Sequence, residues 1–148
     1  MASYTRLGSY LLTDELTADP FGKVYRALTI AGTSFEKHVL VRTFSEELME
    51  AGLGSKLEEA NKVLPQLAGT RGFGSGHRIE AGRQAHVACD YVPGRSLAQM
   101  IEKTKQEQIP LGVDHALTVL QRLAQSLIQL NGKGLSHGIL SPHSVWLS

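Results

Sequence analysis

The chain has 148 residues, 42% hydrophobic and 20% charged, enough apolar content to bury the core of one ordinary domain or of a small domain with two lobes. Lys and Arg number 15 against 14 Asp and Glu, so the formal charge is +1 and there is no basic excess to drive nucleic-acid binding. The single cysteine, Cys89, excludes an internal disulfide and a cysteine-rich zinc site. No apolar run approaches the roughly 20 residues that cross a bilayer, and Met1-Ala2-Ser3-Tyr4-Thr5-Arg6-Leu7 carries no signal-peptide pattern. The expectation is a soluble cytoplasmic protein with neither nucleic acid nor membrane as partner.

In chain order, Ser9 to Leu16 is apolar and β-compatible, Gly22 to Leu28 alternates, and His38 to Arg42 is β-branched. These predict three strands, with a turn at Ala31-Gly32-Thr33, in an antiparallel meander. From Ser45 to Leu67 the pattern turns helical: Leu57, Ala60, Leu64 and Leu67 recur at three and four. Ser55 and Glu58 have the spacing of a capping box, and Pro65 predicts an end or kink. Gly69 to Gly82 holds five glycines and reads as loop with an irregular strand. Ala85 to Val92 predicts a further strand, punctuated by Pro93-Gly94, and Ser96 to Lys105 a short helix with Ser96 as N-cap.

Gly112 to Gly132 gives the clearest helix. At 100° per residue, Val113, Ala116, Leu117, Val119, Leu120, Leu123, Ala124, Leu127, Ile128 and Leu130 fill one half of the wheel. That apolar arc of about 180° is wider than the roughly 100° stripe of a surface helix. Gly132 and Gly134 suit its C-terminal stop. His137 to Ser148 then reads as a loop and a short strand around Val145-Trp146-Leu147. A sheet with one helix followed by a helical third is an α+β arrangement with two lobes, residues 1–92 and 93–148, divided at Pro93-Gly94.

Four strings in this order resemble a protein kinase of the bacterial Ser/Thr type, from its N-terminus through the catalytic loop. Leu16-Thr17-Ala18-Asp19-Pro20-Phe21-Gly22-Lys23-Val24-Tyr25 is similar to the glycine-rich loop. Val39-Leu40-Val41-Arg42 is similar to the strand that carries the phosphate-binding Lys. Asp90-Tyr91-Val92-Pro93-Gly94-Arg95-Ser96-Leu97 is similar to the hinge and the helix after it. His137-Gly138-Ile139-Leu140-Ser141-Pro142-His143-Ser144-Val145-Trp146-Leu147 is similar to the catalytic loop and its following strand. Each string alone is an ordinary turn, strand end or cap; their collinearity carries the resemblance. It implies a kinase-like fold, an antiparallel N-lobe sheet with one helix followed by a truncated helical C-lobe.

The same resemblance marks departures. Phosphoryl transfer rests on positioning and charge neutralisation. The first two glycine positions hold Thr17 and Asp19, and only Gly22 is kept; Asp19 sets a carboxylate where a triphosphate would lie. Arg42 stands for the strand Lys, with Glu59 as candidate partner and Glu58 or Ala60 as alternative registers. Leu40 replaces the small residue that packs on adenine, and Cys89 falls at the gatekeeper position as a small buried hydrophobe. Ile139 occupies the place of the proton-accepting Asp, Ser141 that of the next functional Lys, and Ser144 that of the metal-binding Asn. His137 and His143 match no metal-ligand spacing.

Other enzyme signals are weak. Gly72-Phe73-Gly74-Ser75-Gly76 lacks the P-loop Lys, and the Ser136–His137 and Ser141–His143 pairs lack an elbow motif and an orienting acid. Arg71, Arg78 and Arg83 have Phe73 as their one neighbouring aromatic, too little for a stacking platform.

The resemblance and its departures imply a catalytically inactive kinase-like (pseudokinase) domain acting as a protein-binding or regulatory module, without metal and without required cofactor. One alternative is a nucleotide-binding switch that holds ATP through Gly22, Val24 and Arg42, with Glu59, Cys89 and Tyr91 around it. The other is a fragment of a Ser/Thr protein kinase active in full-length form, since the chain ends at Ser148, before the place of an Asp-Phe-Gly motif. The broad apolar helix predicts a homodimer or protein partner over Leu120, Leu123 and Leu127.

Overall fold

The structure is a computed structural model that describes residues 4–31, 34–138 and 140–148. Gly32 and Thr33 of the expected turn, the leading Met1-Ala2-Ser3, and Ile139 of the expected catalytic loop lie outside the described residues. The chain divides into two compact units. The first takes the chain to Leu64 and then Gly74–Val92; the second takes Pro65–Phe73 and Pro93–Ser148.

The first unit is built on a six-stranded antiparallel sheet: β1 (Thr5–Leu7), β2 (Tyr10–Asp19), β3 (Gly22–Ala31), β4 (Ser34–Phe44), β5 (Arg78–Glu80) and β6 (His86–Asp90), in the order β1-β2-β3-β4-β6-β5. The three predicted strands of the meander are all present and longer than their apolar centres. The ladder carries polar residues along once the register is set. β1 was not predicted, because three residues show no periodicity. It is held by pairing of Leu7 with Tyr10 around a tight turn whose Gly8 takes φ of 55°.

One face of this sheet forms the core. Leu7, Tyr10, Leu12, Ala27, Val39, Val41 and Ala88 are buried together, with Tyr25 packed beside them. The register explains the grouping: Leu12, Ala27 and Val39 form one cross-strand row, and Tyr25, Val41 and Ala88 the next. Side chains alternate along a strand, so the residues between them point the other way. Irregularities between Leu12 and Asp14 and between Glu15 and Thr17 shift β2 against β3 and set which polar residue meets which.

After β4 come two helices, α1 (Glu46–Glu50) and α2 (Leu53–Val63). Gly52, with φ of 88°, separates them and is the N-cap of α2. The expected Ser55–Glu58 capping box is therefore not formed. The chain has already entered the helix at Leu53, and the Ser55 hydroxyl donates to the Gly52 carbonyl at 2.9 Å. Pro65 acts as expected: α2 ends at Val63 and tightens into a 3-10 turn, Leu64–Leu67.

The second unit holds α3 (Leu97–Glu107), α4 (Val113–Gly132) and a two-stranded ribbon of β7 (Arg95–Ser96) and β8 (Trp146–Leu147). Ser96 caps α3 as predicted; its hydroxyl accepts from the Gln99 amide, and Gln99 reaches back to the Ser96 amide, a full capping box. α4 ends in a Schellman motif. The Gly134 amide donates to Asn131 and the Leu135 amide to Leu130, with Gly134 at φ of 73°.

Segment Pro65–Phe73 belongs to this unit through side chains of α4 and the residue that follows it. Lys133 Nζ donates to the carbonyls of Gln66 (2.8 Å) and Ala68 (3.1 Å) and to the Thr70 hydroxyl (2.7 Å). The Arg71 amide donates to Gln129 Oε1 at 2.9 Å. Gly72, at φ of 84°, lies so close to the Ser126 hydroxyl that a Cβ would run into it.

Candidate functional site

The face of the six-stranded sheet opposite the core gathers three residues of the expected nucleotide set. Thr17, Val24, Arg42 and Val87 form one cross-strand row on it; Asp14, Arg26, Leu40 and Cys89 form the row beside it. Val24, Arg42 and Cys89 thus share one surface. Gly22 stands at its rim, in the β2–β3 hairpin, and Tyr91 just beyond β6. Glu59 is on α2 and exposed, as is Glu58.

Arg42 does not form the expected bridge to Glu59. Its Nη2 donates to both carboxylate oxygens of Asp19, at 2.9 and 2.7 Å. The pair is well shielded, with the Asp19 side chain 7% exposed and that of Arg42 27%. Asp19 also accepts from the Phe21 amide at 2.9 Å, closing the Asp19-Pro20-Phe21-Gly22 turn. One carboxylate therefore shapes the hairpin tip and neutralises the strand arginine. The physical reason is register: Asp19 pairs with Gly22, Thr17 with Val24 and Val24 with Arg42, which sets Asp19 diagonally across β3 from Arg42.

Gly22 is explained by packing. A Cβ there would collide with the Thr43 carbonyl oxygen and press on Phe44, and its φ is 151°. The Ser45 amide donates to the Phe21 carbonyl at 3.0 Å, which holds the tip of the hairpin against the end of β4. The one glycine kept from the glycine-rich pattern is thus demanded by strand contact.

Cys89 is partly buried, and burial pushes its thiol up to about 11. It is a packing residue, held protonated through the neutral range. Next to it Asp90 organises the end of β6. It accepts from Lys37 Nζ at 2.6 Å and from the Ser75 hydroxyl at 2.8 Å, and its amide donates to the Ser75 carbonyl. The Lys37 and Ser75 hydrogen bonds hold its carboxyl below the usual range. Gly76, at φ of 65°, is pressed against that carboxylate, with no room for a Cβ. Of the glycine string that resembles a phosphate loop, Ser75 and Gly76 thus pack around Asp90. In the adjacent row Arg26 pairs with Asp14 at 2.6 Å.

In the second unit the residues that the resemblance assigns to a catalytic loop close on themselves. The Ser144 hydroxyl donates to the Ser141 carbonyl at 2.9 Å and accepts from the Ser141 amide at 3.0 Å. This turn is fixed to the start of α3, where the Leu97 amide donates to Val145 and the Ala98 amide to Pro142. The residues that stand for the functional Lys and the metal-binding Asn therefore serve a turn. His137 has the ring of Phe73 beside it, centroids 6.3 Å apart.

α4 divides its apolar half-wheel. Leu130 is buried, as is the small Ser126 from outside that half, and Leu123 and Leu127 are half-buried. Val113 (74%), Leu117 and Leu120 (59% each) and Ile128 (70%) are exposed. With exposed Ala124 they fall at spacings of four and three along one stripe. Of the expected contact residues, Leu120 lies on that stripe and Leu123 and Leu127 lie beside it.

The comparisons with known proteins agree with this architecture. Crystal structures of the PknI kinase domain of Mycobacterium tuberculosis superpose over 100% of this chain: one with a TM-score of 0.71 at 19% identity, another with 0.67 at 20%. The chain has a protein-kinase-like fold. It spans 57% and 59% of those two kinase domains. A serine/threonine-protein kinase of Myxococcus xanthus, pkn2, is 24% identical over 147 residues, which are 95% of this chain and 16% of that protein. No family model matches. Asp19 as partner of Arg42, Asp90 as a hub and Lys133 as an anchor were missed from sequence, because each joins residues 15 or more apart. Among the described residues no helix is long and apolar enough to cross a membrane.

Proposed function

We propose that this kinase-like chain is a catalytically inactive module that works through protein contacts. The observation that carries the reading is the Asp19–Arg42 pair. The cation at the position of the phosphate-binding Lys is already neutralised by a carboxylate of the hairpin that would have to cradle a triphosphate. Three further features support it. Ile139 stands in sequence where a proton acceptor is needed, and the hydroxyl of Ser144 is engaged in its own turn. The α4 stripe from Val113 to Ile128 offers a continuous apolar surface of the kind that partners cover. A second copy or a different protein would seat there.

The test is transfer of radiolabelled phosphate from ATP with magnesium to a generic acceptor protein, using this chain and, separately, the complete product of its gene. No transfer by either supports an inactive module. Transfer by the complete product favours the second reading, a fragment of an active Ser/Thr kinase, for which the 57% span of the PknI domain speaks. Transfer by this chain alone refutes the proposal.

A further inference from the structure

We infer that Asp19 is an intramolecular stand-in for an anionic ligand: its carboxylate occupies the guanidinium of Arg42 and must be displaced before a phosphate can bind there. The inference rests on the kinase-like reading of the surrounding strands and deepens it by naming what keeps the site closed. Three observations converge on the pair. The carboxylate takes two hydrogen bonds from one Arg42 nitrogen and is almost fully shielded, unlike the exposed Lys23–Glu15 and Arg26–Asp14 pairs. Asp19 is held in place independently by the Phe21 amide and by the contact of Gly22 with Thr43, so the competitor is tethered and its local concentration is high. Arg42 opposes Val24 and Val87, apolar neighbours that leave the guanidinium fork facing the hairpin.

An external anion therefore meets an arginine that is rarely free. The apparent affinity is the intrinsic one reduced by the fraction of molecules with Arg42 unpaired. Asp19→Asn keeps an oxygen acceptor for the Phe21 amide and removes the charge that holds Arg42. The ligand class is a polyphosphate, alone or as the tail of a nucleotide.

The experiment is calorimetric titration of the 148-residue chain with inorganic tripolyphosphate and, in parallel, with ATP lacking magnesium. If Arg42 is unpaired in about one molecule in ten, D19N binds tripolyphosphate about tenfold more tightly than the natural chain. The gain disappears in the D19N/R42M double variant. Asp14→Asn, which removes one negative charge from the same face where Asp14 pairs with Arg26, gives no such gain. Asp19→Ser, whose hydroxyl also accepts from the Phe21 amide, serves as a second opening variant should D19N fold poorly. A gain for ATP equal to that for tripolyphosphate assigns recognition to the phosphates alone; a larger one adds a base contact. The inference is overturned if neither opening variant binds more tightly than the natural chain, if the gain survives R42M, or if D14N matches it. None of these outcomes touches the inactive-module reading, which falls only to phosphate transfer.

Discussion

Replacing Lys133 by Met tests why Pro65–Phe73 packs with α4 rather than with the sheet. The ammonium group converges on three acceptors, Gln66 O, Ala68 O and Thr70 Oγ1, all within 3.1 Å. Met keeps most of the aliphatic stem and removes every donor. A hydrogen bond from a charged group contributes a net of about 1.5–3 kcal/mol, but the three share one cation and do not add. Lys133 is an exposed residue, so water reaches the two carbonyls once the ammonium is gone. Thr70 is buried and its hydroxyl is left to find another partner. The expected cost is about 2 kcal/mol. For a chain of this size that lowers Tm by about 4–8 °C. Circular-dichroism melting reads the shift. Hydrogen exchange adds the location, with the Thr70 and Arg71 amides losing protection before those of α4. K133R recovers only some of the loss, because its planar fork cannot point at three converging acceptors. A K133M melting point within about 1 °C of the natural chain refutes the reasoning, since a three-acceptor anchor of that size is inconsistent with so small a shift.

Gly22→Ala drives a Cβ into the Thr43 carbonyl and costs about 1–3 kcal/mol in urea titration, whereas Gly54→Ala, in α2 with only Met49 Cε nearby, is neutral or stabilising. Cys89, its thiol raised to about 11, resists iodoacetamide near pH 8 in the folded chain and reacts in urea. The same shift removes stability as pH rises from the ordinary thiol value of 9.0 toward 11, because the unfolded chain loses that proton first. Asp14 and Asp90 both titrate below the ordinary 3.8, held there by hydrogen bonds from Arg26 and from Lys37 and Ser75. Their contribution is complete above that value and is lost as pH falls through the folded pKa. D14N and D90N therefore flatten the acid limb of a Tm-against-pH profile. Leu130→Ala, at a buried position of α4, costs about 2–5 kcal/mol, while Ile128→Asp on the exposed stripe shifts the melting point little and breaks any assembly seen by light scattering.

The local order of this protein was legible because local order has local causes. The alternation of Gly22 to Leu28, the run Val39-Leu40-Val41 and the three-four recurrence of α4 depend on residues within one turn or one pleat of each other. So do the Ser96 cap and the break at Pro65. The collinear strings added the fold, since the order of elements survives changes at individual positions. The Ser55–Glu58 motif misled because the same four residues also fit inside a helix that starts three residues earlier, at a left-handed glycine.

What the chain does with its charges came only from the tertiary structure. Arg42 and Asp19 are 23 residues apart, and their meeting depends on the closure of the β2–β3 hairpin and on the pairing of β3 with β4, which no spacing rule reveals. The division of α4 into a buried side around Leu130 and an open stripe from Val113 to Ile128 likewise depends on what packs against it. Periodicity names the apolar face of a helix, but long-range packing decides how much of that face meets water. The partner of a cation is decided in the same way, by which carboxylate the register brings within reach.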